Sequence, residues 1–335
     1  MKIIVVIVTF NRHTHLRRCL DSLKSLQDQY NCETKVVLNG MDKLSKDIVE
    51  GHYLKPELIQ CFSPQTPAFC RNLALKNEEF EYAFFLDDDA YLPSGYTPLI
   101  KSLLASKTRP HIFGGPDLSP PDASLFAHSV GIAQQSPLAT ASTRFRHMKI
   151  AEPLSDKGIA VSEKKLILCN LWVSQHIWNQ VGGFDTRFTR NEENIFLEKA
   201  IKLTDSVFYF SHLFVFHSKK ENPLTLIRAV FKSGFFRVQS ALLTDIPLPL
   251  IYLVPLIFNF YLIFIISNLN SPLIFFLPAL CYVFANFATS LWVCRRNQLF
   301  KALPLVMIIQ FMINVFYGLG TLWGVLGKIE TKSQN

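Results

Sequence analysis

Apolar residues gather in short runs early in the chain and in long runs at its end, and the two patterns predict different structures. Ile3 to Phe10 is continuous and β-branched, as expected for a strand buried on both faces of a parallel sheet, and it closes in the turn Asn11-Arg12. Leu16, Cys19, Leu20, Leu23 and Leu26 then recur at helical spacing, with Arg17, Arg18 and Lys24 between them. A second strand is predicted at Thr34 to Leu38, ended by the turn signal Asn39-Gly40. A short helix follows at Lys43 to Val49, a third strand at Leu58 to Phe62, and a helix at Pro67 to Asn77 with proline in its first turn. Tyr82 to Leu86 makes a fourth strand that runs into Asp87-Asp88-Asp89. This alternation predicts a doubly wound, mainly parallel sheet whose ligands bind at the carboxyl ends of strands. Thr9 to Arg12, Asn39 and Asp87 to Asp89 all sit at such ends, so they should share one crevice.

Further on, Tyr96 to Ala105 reads as a helix and His111 to Gly115 as a strand ending in a tight backbone. Pro116 to Lys157 is rich in Pro, Ser, Ala and Thr and groups Arg144, Arg146, His147 and Lys149. It reads as a long, partly irregular insertion. A strand at Leu166 to Leu171, a helix at Val173 to Val181 and the turn Gly182-Gly183-Phe184-Asp185 follow. Asn191-Glu192-Glu193 opens a helix to about Leu203, and the apolar runs Val207 to Phe210 and Leu213 to Phe216 lead to His217.

The long runs are Pro247 to Ile266, Leu273 to Val293 and Leu303 to Leu326, each about the length that spans a bilayer. Packed core helices would also be apolar, but three in series with no internal charge favour spanning. The connection Cys294 to Lys301 carries Arg295, Arg296 and Lys301, whereas Ser267 to Ser271 carries no charge. The positive-inside rule then puts the second connection and the catalytic part in the cytoplasm and the carboxyl terminus outside, although Lys328 and Lys332 argue against the last point. Leu224 to Leu243 interleaves Arg228, Lys232 and Arg237 with apolar residues, which suits a helix lying at the membrane interface or one docked on the sheet domain. The expected organisation is a catalytic domain over 1–221, an interfacial segment over 222–246, a three-helix all-α transmembrane region over 247–327 and a tail over 328–335.

Composition narrows the choices. The 335 residues allow one large domain or two smaller ones, and the 49% apolar content is unevenly spread. A net charge of +8 fits nucleic acid, anionic lipid or a phosphorylated substrate. No basic block with interleaved aromatics exists, so no nucleic-acid partner is expected, and basic residues beside membrane segments favour lipid headgroups. Seven scattered cysteines without a C-x-x-C pair argue for free thiols in a reducing compartment, and against a zinc site or a disulfide frame. The opening strand is too short for a signal-peptide core, which places the soluble part on the cytoplasmic side of the inner (plasma) membrane. No G-x-G-x-x-G or P-loop follows the first strand, which disfavours a nicotinamide dehydrogenase or a kinase-like phosphate loop. A bound nucleotide must then be held by side chains and a metal.

The candidate chemistry starts with the three aspartates. Strand alternation places Asp87 and Asp89 on one face and Asp88 on the other. Two such carboxylates suit a hard divalent cation that also holds phosphates, while the plain alternative is a solvated acidic turn. Glu192 and Glu193 could act in catalysis or simply complement a helix dipole. His217 could be a ligand or a satisfied structural histidine.

Taken in order, several short motifs resemble those of family 2 glycosyltransferases, the inverting enzymes of the GT-A fold. Val8-Thr9-Phe10-Asn11-Arg12 is similar to their opening strand and turn, Cys70-Arg71-Asn72-Leu73 to their A-R-N-x-G segment, and Leu86-Asp87-Asp88-Asp89 to their D-x-D motif. Asn170, Gly182-Gly183-Phe184-Asp185 and Glu192-Glu193 follow in the family order, the last pair standing where Glu-Asp is usual. The run into His217 is similar to a strand that ends in a metal-binding histidine in several members. The resemblance covers Ile3 to about His217. Two departures stand out: Leu38-Asn39-Gly40-Met41-Asp42 has Asn where a base-reading Asp often sits, and the Q-x-x-R-W motif of processive synthases is missing.

The resemblance implies a non-processive, membrane-anchored transferase using a nucleoside-diphosphate sugar, its base left open among uridine, thymidine and guanosine. Asp87, Asp89 and His217 would hold Mg²⁺ or Mn²⁺, and Asp88 would meet the ribose or donor sugar. Glu193 would be the base, with Glu192 second, and Arg71 would steady the diphosphate. Thr9, Asn11, Arg12 and Asn39 would hold the nucleoside, and Gly183 and Asp185 would line the substrate site. A cytoplasm-facing enzyme at a membrane implies a lipid-linked saccharide or polyprenyl phosphate as acceptor. The competing reading is a catalytically silent scaffold that binds nucleotide sugars.

Overall fold

A computed structural model describes residues 1–106, 109–150, 159–160, 165–270 and 272–327. The chain divides into two units, one of Met1–Pro120 with Met148–Ser218, the other of Pro121–His147 with the chain from Lys219 onward. The helical piece Pro121–His147 thus belongs to the second unit, whereas the sequence reading kept it inside a continuous catalytic domain over 1–221.

The first unit is built on an eight-stranded mixed sheet of order β3-β2-β1-β4-β9-β6-β10-β8. Its strands are β1 (Ile3–Thr9), β2 (Glu33–Asn39), β3 (Glu57–Cys61), β4 (Tyr82–Phe85), β6 (Ile112–Gly114), β8 (Ile159–Ala160), β9 (Leu171–Ser174) and β10 (Val207–Tyr209). A second sheet of order β5-β11-β7 joins β5 (Ala90–Tyr91), β7 (Asp117–Leu118) and β11 (Val215–His217). β1 pairs in parallel with β2 and β4, and β2 with β3, as the alternation of elements predicts. β9 runs antiparallel between β4 and β6. Period-two alternation splits β1 between two cores: Ile3, Val5 and Ile7 pack on one face of the sheet, Ile4 and Val6 on the other.

Local chemistry explains where elements start and stop. The helix Pro67–Ala74 begins as expected, with Pro67 in its first turn and the Thr66 hydroxyl accepting from the Phe69 N–H at 3.2 Å. The helix expected across Leu16 to Leu26 is two, His13–Ser22 and Lys24–Tyr30. At the break, the Ser22 hydroxyl donates to the Cys19 carbonyl and accepts from the Leu92 N–H, drawing the chain out of the helical ladder.

Three readings are corrected. Leu168–Asn170 is a 3₁₀ turn and the strand is Leu171–Ser174, so the helix starts at Gln175 and not at Val173. Tertiary packing decides this: Trp172 stacks on Phe84 at 4.5 Å and Phe113 at 5.3 Å, which needs an extended chain between β4 and β6. The insertion from Pro116 is largely ordered, with β7, the helices Leu125–Gln134 and Pro137–Thr140, and a 3₁₀ stretch Ala141–His147. Ser124 caps the first of these helices by accepting from the Ala127 N–H. Residues 151–157 of that region lie outside the described residues. Among the grouped basic residues, Arg146 is buried, and the Lys149 ammonium sits 3.8 Å over the Phe214 ring.

In the second unit, Leu250–Ser267, Leu273–Arg296 and Phe300–Leu326 are long and apolar enough to cross a membrane, close to the expected spans. The helix Pro223–Leu243 runs against Leu303–Leu326, with the Gln239 amide donating to the Gly324 carbonyl at 2.5 Å and the Gly327 carbonyl at 2.8 Å. Arg228 and Lys232 on it are exposed, and Arg237 stacks 4.6 Å over Tyr252. Inside the helical bundle the Gln310 carbonyl oxygen accepts from Ser136 at 2.6 Å and Thr289 at 3.2 Å, and its amide donates to Ser290. Ser271, Lys328 and Lys332 lie outside the described residues.

Candidate active site

The acidic turn lies past the end of β4, because the strand stops at Phe85 and the Ala90 N–H closes back on the Asp87 carbonyl at 3.0 Å. Simple alternation therefore does not sort the three carboxylates as expected. Arg12, at the end of β1, binds Asp88 at 3.0 Å and Asp89 at 2.6 Å. Arg71 reaches from the helix Pro67–Ala74 to Asp87 at 2.9 Å and to Glu192 at 3.0 Å. Both Arg71 and Glu192 are buried, so this bridge ties the helix Glu192–Ala200 to the end of β4.

His217, at the end of β11, completes the group. Its Nε2 lies 3.1 Å from Asp89 and its Nδ1 2.7 Å from Asp117, with the Cys169 sulfur 3.6 Å from the same Nδ1. Asp87, Cys169 and His217 each offer a ligating atom within 4.8 Å of the others. Sheet register produces this gathering, since His217 pairs with Ala90 and Val215 with Asp117. Gly115 permits it: a Cβ there would sit 2.0 Å from the Leu213 carbonyl oxygen, so only glycine lets the chain into β7 pass so close.

Six carboxylates (Asp87, Asp88, Asp89, Asp117, Glu192 and Glu193) surround two guanidiniums and one imidazole. The excess of negative charge is what a bound cation would balance. Burial pushes Asp88 up to about 6 against the pull of Arg12. Burial, reinforced by the charge of Glu193, carries Glu192 up to about 7 despite Arg71. Its Oε2 has no hydrogen-bond partner among the described residues. Burial alone would lower His217, but Cys169, Asp89 and Asp117 outweigh it and hold it well above the ordinary histidine range. Glu193 is half-buried and accepts from the Asn194 amide at 2.9 Å.

The remaining predicted residues go elsewhere. Thr9 is buried beside Asp88. The Asn11 side chain is exposed, and its backbone, at φ 54°, donates to Asp42 at 3.0 Å. Asn39 braces a loop, exchanging hydrogen bonds with the Gln65 backbone at 3.0 and 2.8 Å. Gly183, at φ +81°, lies under Asn72, which clamps both backbone groups of Phe184 at 2.8 and 2.9 Å. Asp185 is taken by Arg187 at 2.6 Å. Sequence reasoning missed Asp117 and Cys169. Asp117 carries one signal, a lone acid just past the Gly114-Gly115 strand end, but Cys169 carries none.

Residues 4–121 match the model of a family described as Glycosyl transferase family 2. No curated protein matches the chain. Among solved structures, the mannosyltransferase PcManGT from Pyrobaculum calidifontis, in complex with GDP-Man and Mn²⁺, is similar with a TM-score of 0.61 at 14% identity. That likeness covers 96% of this chain and 87% of the other. S. aureus TarS 1-349 is similar over 100% of this chain and 98% of its own at 16% identity, with a TM-score of 0.47, or 0.49 in its complex with UDP-GlcNAc.

Proposed function

The chain carries a family 2 glycosyltransferase domain of the GT-A fold, and on that footing we propose that it moves a sugar from a nucleoside-diphosphate sugar to a hydroxyl of a lipid-linked acceptor, with inversion. One observation carries the reading: acids from the end of β4, an acid pair at a helix start and a histidine from β11 meet around Arg12 and Arg71. Asp87, Asp89 and His217 offer two carboxylates and an imidazole, donor types that suit Mg²⁺ or Mn²⁺, with Asp89 3.1 Å from the His217 Nε2. Such an ion would neutralise charge developing on the leaving diphosphate. The mannosyltransferase complex with GDP-Man and Mn²⁺ is consistent with this class of donor and metal.

The chain's own residues do the rest. Arg12 offers a guanidinium suited to phosphate oxygens, while Arg71 holds Asp87 and Glu192 in place. Asp88 and Thr9 form the floor against which the donor's ribose or sugar rests. Glu193, the more open of the acid pair, takes the acceptor hydroxyl proton as oxygen attacks the anomeric carbon from the face opposite the diphosphate. A second assignment, with Glu192 as the base, draws support from its rise to about 7 and its unpartnered oxygen. Glu193→Gln and Glu192→Gln separate the two, since loss of the base lowers kcat far more than donor affinity.

The three apolar helices support a multi-pass membrane protein whose transferase domain faces the cytoplasm. The acceptor would then be a polyprenyl-phosphate- or diphosphate-linked saccharide, or the lipid phosphate itself. A screen of nucleotide sugars in Mn²⁺, reading released diphosphate, tests the proposal. One donor should release diphosphate, and Asp89→Ala should abolish the metal-dependent part. Release that survives this change, or no release from any donor, refutes the assignment.

A further inference from the structure

Cys169 lies against the inner side of the His217 imidazole, and the two residues with Asp87 bring sulfur, nitrogen and oxygen donors together from three distant segments. In a tetrahedral zinc site, bonds of about 2.3 Å to sulfur and about 2.0 Å to nitrogen place those atoms about 3.5 Å apart. The Cys169 sulfur and His217 Nδ1 are 3.6 Å apart, which is that span. Sulfur donors select soft and borderline ions over magnesium and manganese. Cys169 is buried, while Asp87 and His217 keep 29% and 20% of their side chains exposed, so an ion has an entry path from their side. An ion bound at Nδ1 would take the place of that nitrogen's hydrogen bond to Asp117, and Asp89, 3.1 Å from Nε2, would then fix the ring in place.

We propose that Asp87, Cys169 and His217 form a binding site for a thiophilic divalent cation of the zinc class. The ion bonds to the Cys169 sulfur, an Asp87 oxygen and a His217 nitrogen, with water filling the remaining position. The thiol proton and the proton on the ligating imidazole nitrogen leave to solvent as the metal bonds form, and no electrons are transferred. Cysteine spacing could not reveal such a site, because it uses a single cysteine and ligands far apart in the chain. Asp87 and His217 also belong to the hard-cation set proposed above, so the two ions exclude one another and a zinc-class ion arrests transfer. That consequence rests on the proposed function; the binding site stands on the three side chains alone.

The test is a titration of the full chain in detergent with Cd²⁺ alone, reading the ultraviolet charge-transfer band of the cadmium–thiolate bond. Wild type should show one saturable equivalent. Cys169→Ser should lose the band, while a double Cys61→Ser/Cys70→Ser variant, which removes a neighbouring thiol pair, should keep it. Asp87→Asn, with the thiol intact, should weaken Cd²⁺ binding at least tenfold, which guards against a misfolded serine variant. A band of wild-type strength in Cys169→Ser, or unchanged Cd²⁺ affinity in Asp87→Asn, overturns the proposal. In a parallel experiment Cd²⁺ should release bound Mn²⁺, read as the free-ion electron paramagnetic resonance signal. A Cys169-dependent band without that release supports the thiophilic site and overturns the shared hard-cation assignment.

Discussion

Replacing Glu192 with glutamine should stabilise the protein at alkaline pH relative to mild acid. The Glu192 side chain is 6% exposed, with one oxygen on Arg71 at 3.0 Å and the other without a partner among the described residues. Burial, then the charge of Glu193, raises its carboxyl to about 7, where an unfolded chain would titrate near 4.5. A carboxyl raised on folding contributes stability that is fully present below about pH 4.5 and lost as pH climbs through about 7. That gap amounts to about 3 kcal/mol. Glutamine keeps an oxygen for Arg71 and cannot ionise. The stability of the variant minus that of wild type should therefore climb by about 3 kcal/mol between pH 4.5 and pH 8. At about 2–4 °C per kcal/mol for a domain of this size, the gap in melting temperature should widen by roughly 6–12 °C. Thermal unfolding of both proteins in the same detergent, followed by tryptophan fluorescence from pH 4 to 9, reads this directly, and groups common to both cancel. A difference that stays flat with pH, or falls, refutes the claim that Glu192 is held against ionisation.

Asp117→Asn should weaken Mn²⁺ binding about 10–100-fold by loosening the histidine it orients; isothermal titration showing an unchanged Kd would contradict this. Gly115→Ala should cost at least about 1–3 kcal/mol, because the new methyl meets the Leu213 carbonyl; an unaltered melting temperature would sink the argument. Gln310→Leu leaves the hydroxyls of Ser136, Thr289 and Ser290 short of a partner. At about 0.6 kcal/mol per interhelical hydrogen bond and about 1.7 at most, the loss should be about 1–3 kcal/mol in a bilayer, and equal or greater resistance to unfolding would refute it.

In the parallel half of the sheet, β1 and most of β2 were legible because they are buried on both faces and rich in β-branched residues, with turns marked by Asn11-Arg12 and Asn39-Gly40. The three apolar helices were legible because each is a long, uniformly apolar run without an internal charge. β9 was not, because Leu171 to Ser174 has no period that separates strand from helix, and only the aromatic stack on Trp172 decides it. The insertion misled through composition: serine and proline read as loop, yet here they cap and start helices at Ser124, Ser136 and Pro137. At the site, the acids were legible but not their pairing, since the strand ends at Phe85, one residue early, and Asp88 and Asp89 both meet Arg12. Asn39, Gly183 and Asp185 looked like ligand residues because polar side chains and glycines at strand ends serve either substrate or scaffold. Here Asn39 bonds the Gln65 backbone and Asp185 pairs with Arg187.

The two arginines, similar in sequence, differ in what they can do. Arg71 is buried between Asp87 and Glu192, and breaking such a pair costs about 3–5 kcal/mol because it strands a charge away from water. It is therefore a fixed strut that sets the distance between the acidic turn and the acid pair. Arg12 keeps 43% of its side chain in solvent, but Asp88 and Asp89 keep 5% and 9%, so it can leave them at small cost only where another cation replaces its charge. On the proposed reaction, Arg12 neutralises the turn while no donor is bound. A cation held by those carboxylates would free the Arg12 guanidinium for the donor's phosphates. The same exchange cannot run through Arg71, so Arg12→Lys should weaken donor binding with little effect on folding, whereas Arg71→Lys should lower the melting temperature first.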